Sequence, residues 1–340
     1  MGVLRPVAVG CFGACLALGG CTGARPEKQA GESPLVWPPA PDVTRIVHVR
    51  EVRGPADLGV RVSAFSRFGH WITGSGQRSE TFVKPFGIAL DEEDNLCLTD
   101  TGAGLVCYYD RAKKKWHKWD KIGKIQFVSP VSIAKKQGIF FVADSGLDSV
   151  IAFDETGRLL ARITNHLERP SAVALINEQL FVADSQRHKV VVFDLSGQYH
   201  REFGRRGVGP GEFNFPTHLG ADNQGSLYVT DSMNSRVQIL DLEGHYKGQV
   251  GTIGDSTGKF GRPKGVAVDP LGHIYVLDAL FDNLQIFDRS GQLLLNLGET
   301  GAQRGQFWLP NGIAISKSNE IFIADSYNRR LQVFKYVGPS

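Results

Sequence analysis

The chain has 340 residues, with 38 Lys and Arg against 35 Asp and Glu and a formal charge of +3. That balance is too small to point to nucleic acid. Aromatic residues at 10%, charged residues at 21% and 40 glycines suit an all-β globular body with many turns.

In chain order, Arg5 supplies a positive start and Val7 to Gly20 form a short apolar stretch that closes on Leu18-Gly19-Gly20-Cys21. This is the pattern of a secretory signal. Its end resembles the lipobox of bacterial lipoproteins, with Leu three residues before a Cys and small residues between. The resemblance implies that residues 1–20 are removed and that Cys21 is acylated and becomes the mature N-terminus. Cys11 and Cys15 lack the same small-residue approach. An ordinary signal peptide with a chance cysteine, or an anchor, would use the same residues, but the stretch is shorter than the roughly 20 apolar residues a span needs. Thr22 stands where an Asp would favour inner-membrane retention in the lipoproteins that the segment resembles, so a bacterial cell-envelope location is expected, outer membrane over inner. Residues 21–42 are rich in Gly, Pro, Glu and Lys and read as a flexible tether.

The folded domain is expected over residues 43–338. Thr44 to Arg50 alternate as a strand. Leu58, Val62, Phe65, Phe68 and Ile72 then recur at helical spacing, predicting a short amphipathic helix near residues 58–73 that caps the body or lies on a membrane surface. Six copies of one pattern follow. Each opens on a proline (Pro85, Pro130, Pro170, Pro216, Pro263, Pro310) and reaches an aspartate at the end of a second strand (Asp100, Asp144, Asp184, Asp231, Asp278, Asp325). An apolar residue follows each aspartate by six positions. A period of 40 to 47 residues with four short strands in each copy predicts a six-bladed β-propeller, with blades starting near residues 82, 127, 167, 213, 260 and 307. The last copy lacks an outer strand, so the Thr44–Arg50 segment is expected to supply it and close the ring.

The elements Asp231-Ser232-Met233-Asn234-Ser235-Arg236-Val237 and Asp325-Ser326-Tyr327-Asn328-Arg329-Arg330-Leu331, with the linkers 204–213 and 301–307, resemble the NHL repeat. The resemblance covers residues 82–336 and implies a six-bladed propeller of four-stranded blades. Some enzymes of this fold, the amidating lyases, carry His directly after the proline in several blades and hold zinc with it. No blade here does: those positions are Phe86, Val131, Ser171, Thr217, Lys264 and Asn311. Of the Glu, Asn and Asp that gluconolactonase relatives place around a divalent cation, only Asn311 is matched.

The repeated aspartates read as turn-building groups that accept backbone N–H bonds, and six equivalent ring positions cannot converge on one substrate. With no Cys-x-x-Cys-His motif and no phosphate loop, neither covalent haem nor any other cofactor is expected. The expected activity is therefore a non-catalytic, protein-binding scaffold tethered to a membrane, with a metal-dependent lyase or lactonase as the alternative and RNA binding as a weaker one. The expected partner face carries Phe86, Ser171, Thr217, His218, Lys264 and Asn311 with the loops of Arg187, Tyr327 and Arg329. Cys97 and Cys107, on neighbouring strands of one blade, could form a disulfide or remain two buried thiols. The run from Arg111 to Lys121 reads as an outer strand guarded by lysines.

Overall fold

Each proline-led copy folds into one antiparallel sheet. The structure, a computed structural model, describes Gly2 and residues 34–60 and 81–338. Cys21 lies outside the described residues. So do residues 61–80, which hold most of the expected helix; before them Pro55–Leu58 form one 3-10 turn, ended by Gly59 in the left-handed region at φ 76°. No helix among the described residues is long and apolar enough to cross a membrane.

Blade 3 shows the unit: Pro170–Ile176 pairs with Gln179–Asp184, that with Lys189–Asp194, and that with Tyr199–Phe203. The middle two strands are almost wholly buried because neighbouring blades cover both faces, which is why they read as continuous apolar runs. The outer strand, covered less, is half exposed. Successive inner strands pack side by side around a central channel, and Pro310–Ile315 of blade 6 packs on Pro85–Leu90 of blade 1 to complete the circle. The apolar core is correspondingly divided into six clusters, one at each blade interface. Truncating one of their fully buried rings, such as Phe140 or Phe181, would cost about 3–5 kcal/mol.

Closure follows the strand expected for it. Ile46–Val52 pairs antiparallel with Arg330–Tyr336, the last strand of blade 6. A further strand, Val36–Trp37, pairs with Val47 and Ile46, and the Trp37 ring packs edge-on against Phe334 at 5.7 Å. The folded body thus begins inside the segment read as a tether. The Lys-rich run places Lys115–Trp119 as the outer strand of blade 1. Trp116 packs into one blade interface and Trp119 into the other.

The strand register decides between the two readings of the cysteines. Cys97 stands opposite Tyr108, and Cys107 stands opposite Leu98. The two cysteines therefore project from opposite faces of blade 1, one into each flanking core cluster, and no disulfide joins them. A side-chain period of two makes this a matter of parity rather than distance.

The aspartates work as locks. Asp184 is fully buried; its Oδ1 accepts N–H bonds from Gln186, Arg187 and Arg169 at 3.1 Å, and its Oδ2 accepts from Glu168 at 2.6 Å. One carboxylate so ties the turn after the second strand to the loop before the inner strand. Each proline pairs with its aspartate in the register, as Pro85 does with Asp100, so these two loop sets share one end of the ring. Blade 6 adds to this lock. Arg330, 1% exposed, donates from Nε to Asp325 at 2.7 Å and from its other nitrogens to the carbonyls of Ala302, Gln303 and Gln306. It also pairs with Glu51 on the closing strand.

Candidate ligand-binding face and channel mouth

The end of the ring marked by the prolines carries the channel mouth. Inner strands crowd there: a Cβ on Gly312 would lie 2.3 Å from the carbonyl oxygen of Phe86, and one on Gly265 would lie 2.4 Å from that of Asn311. Blade 4 departs from this rule, carrying His218 where blades 1, 5 and 6 have glycine. The imidazole reaches over the mouth to blade 6, where Nε2 meets Asn311 Oδ1 at 3.0 Å; Nδ1 lies 3.2 Å from Thr217 Oγ1. Nε2 carries the proton in the arrangement that satisfies both contacts, donating to the amide oxygen and leaving Nδ1 to accept from the hydroxyl. Burial, helped by the charge of Lys264 and opposed by the Asn311 bond, pushes the His218 pKa down to about 3. The ring is neutral at any physiological pH.

Lys264, one blade on, is half-buried, and burial together with Arg262 pushes its pKa down to about 8. No carboxylate among the described residues pairs with it. Below the mouth the channel holds a cavity of about 230 Å³, lined by the inner strands from His218, Gly265 and Gly312 down to Leu90, Leu175 and Lys135.

The expected face residues divide accordingly. His218, Thr217 and Asn311 are bonded together and the charge of Lys264 acts on His218, although the sequence separates them by up to 94 positions. Ser171 is occupied by structure: its hydroxyl bonds the carbonyls of Ala183 and Pro216, stitching blade 3 to blade 4. Arg187 bonds the carbonyl of His166 and pairs with Glu202 at 3.1 Å, away from the mouth cluster. Phe86 is half-buried at the mouth, and Arg329 is exposed in the last turn of blade 6 with a left-handed backbone at φ 55°.

Tyr327 belongs to a group that sequence reasoning saw only in part. Its ring is 47% exposed, lies 5.6 Å from the 51% exposed Trp308, and has the Lys84 ammonium 4.9 Å from its centre. The signal was available one or two positions before each proline, where Lys84 and Trp308 stand. Exposed Val83, Val128, Met233 and Leu280 occupy the same loop sets at this end of the ring. Among the described residues no three His, Cys, Asp or Glu side chains come together as a metal site.

Comparison with known proteins agrees with this architecture. Residues 161–253 match a family model described as a six-bladed β-propeller, and residues 260–287 and 307–334 each match the NHL repeat. The chain is a propeller carrying NHL repeats. Among solved structures, this NHL propeller is similar to hydrazine synthase of Kuenenia stuttgartiensis, at 13% identity and a TM-score of 0.56, over 77% of this chain and 98% of that one. It is also similar to virginiamycin B lyase from Staphylococcus aureus, at 11% identity and a TM-score of 0.56, over 75% and 96% of the two chains. A Bacteroides thetaiotaomicron protein of unknown function is 16% identical, with a TM-score of 0.57, over 76% of this chain and 70% of that one. At these identities the likeness concerns the fold, and the NHL loops decide the chemistry.

Proposed function

We propose that this protein is an exported binding propeller, held at a bacterial envelope membrane by a lipid on Cys21, that grips a partner protein on its mouth face without catalysing a reaction. The observation that carries the reading is the concentration of exposed Trp308, Tyr327, Val83, Val128, Met233 and Leu280 on the loops around one end of the ring. Exposed aromatic and aliphatic groups gathered beside Lys and Arg side chains are the usual anchors of an interface. The mouth cluster supports binding over catalysis, since a neutral His218 already engaged at both nitrogens offers no base for proton transfer.

Crosslinking of the full chain in membranes, followed by identification of the captured species, tests the reading. A discrete protein captured by the wild type and lost with Trp308→Ala or Tyr327→Ala is the expected result. Capture that survives both substitutions, or the absence of any discrete species, overturns it. Cys21→Ser is expected to move the protein from the membrane to the soluble fraction; a variant that stays membrane-bound would remove the lipid from the proposal.

A further inference from the structure

Among the described residues, the mouth cluster has donors without acceptors. Lys264 brings an ammonium with no hydrogen bond or ion pair among the described residues. Asn311, 8% exposed, turns its oxygen to His218, and its amide nitrogen makes no hydrogen bond among those residues. Arg262, two positions before Lys264, is exposed and likewise without a carboxylate partner. The His218 and Thr217 side chains bond inward and fix the orientation of the amide. Three blades thus contribute to one region that presents N–H groups and positive charge and, among the described residues, no negative charge.

The geometry points to this mouth as a binding site for a single carboxylate, seated between the Lys264 ammonium and the Asn311 amide with Arg262 at its rim. The chemistry is specific in several ways. A half-buried ammonium beside neutral donors favours one negative charge, and hydrogen bonds to an ionised acceptor are roughly twice as strong as neutral ones. A carboxylate can satisfy an ammonium and an amide with its two oxygens. Two sources share this chemistry: a small free carboxylate, and the chain terminus of a protein, which backbone and side-chain donors commonly capture.

Titration calorimetry on the full chain in detergent micelles separates them, with acetate, an apolar tetrapeptide bearing a free C-terminus, and its C-terminally amidated twin as probes. The free tetrapeptide is expected to bind with one-to-one stoichiometry, and the amide about tenfold or more weaker. Lys264→Gln should weaken binding about tenfold or more, while Lys264→Arg retains most of it and Arg262→Gln costs a smaller factor. Affinity should fall between about pH 7 and about pH 9.5 as Lys264 loses its proton. Of the groups acting there, Arg262 is the charged neighbour of Lys264, and His218 stays neutral over that range. Acetate as tight as the tetrapeptide assigns the site to small carboxylates; a preference for the tetrapeptide assigns it to a chain terminus. Equal binding of the free and amidated peptides overturns the proposal, as does undiminished binding by a folded Lys264→Gln protein or no binding of acetate and free tetrapeptide by the wild type. The inference rests on the partner-binding reading only in its peptide arm: Trp308→Ala should abolish partner capture yet leave acetate binding intact, so the two can fail separately.

Discussion

Two lysines sit on inner strands at opposite ends of the same channel, and their surroundings could hardly differ more. Lys135 pairs with Asp91 at 2.8 Å and Glu155 at 2.9 Å, with its ammonium 4.7 Å from the centre of the Tyr108 ring. Burial alone would lower its pKa, but the bonds to Asp91 and Glu155 outweigh it and the pKa is raised. Lys264 is half-buried with no partner among the described residues to offset the cost, and its pKa falls. The Lys135 end is a finished structural joint: Tyr108 and Asn95 both bond Asp91, and Asn95 also bonds Tyr108. The mouth is left electrostatically open. A fold that settles a buried cation at one end and leaves one unsettled at the other keeps the second available for a ligand.

The most damaging way to break the contrast is Lys135→Met, which strands Asp91 in the core. A loss of about 3–5 kcal/mol is expected in urea unfolding. A loss under about 1 kcal/mol would show that the pair contributes little and that the two ends differ less than the distances suggest.

His218 tests the mouth from the acid side. Its pKa in the folded state lies near 3 against 6.5 for a free imidazole, so below pH 6.5 the unfolded chain takes up a proton that the native protein refuses. Stability should therefore fall as pH drops from 6.5 toward 3, by about 3 kcal/mol at pH 4 relative to His218→Asn. Parallel unfolding curves for the two proteins across that range would mean the ring is protonated in place.

Lys264→Gln should act in the opposite sense to Lys135→Met, raising stability by about 1 kcal/mol at neutral pH because it removes a half-buried charge without a partner among the described residues. The unfolded lysine keeps its proton up to 10.5, and the native one loses it near 8. Wild-type stability should climb toward that of the variant between those values and meet it above them. A destabilised variant at pH 7 would show that the ammonium has a partner in solution.

Trp308→Ala is the smallest perturbation of all, with melting expected to stay within about 0.5 kcal/mol of wild type. A large loss of stability would recast the exposed ring as part of the scaffold.

The ring was legible in the sequence because a propeller repeats its grammar: each proline, small inner-strand residue and buried aspartate recurs at one blade position, and the missing outer strand of the last copy announced its own replacement. Other features depend on register or on ring geometry, which no periodicity reports. Whether Cys97 and Cys107 share a face turns on the length of the intervening turn, which aligns Leu98, not Cys97, with Cys107. Val36–Trp37 escaped notice because two residues amid prolines carry no alternation. At the mouth stand residues that follow the prolines, among them Thr217, His218 and Asn311. That His218 would bond Asn311 from two blades away required the ring to be closed. Ser171 and Arg187 looked available by type and were already engaged by neighbouring backbone.

The seam between Ile46–Val52 and Arg330–Tyr336 has a consequence for the order in which the molecule can be completed. Every other blade draws on a contiguous stretch and can form as soon as that stretch emerges during synthesis. The sixth must wait, because its outer strand is made among the first of the folded residues and its neighbour among the last. Until residues 330–336 appear, the early strand has an open edge and Glu51 has no Arg330 to meet. The circle is thus an inspection step on the chain's own production: a polypeptide cut short by a few residues near its end would leave a ring that cannot latch, exposed to proteases at the joint where its two ends should hold each other.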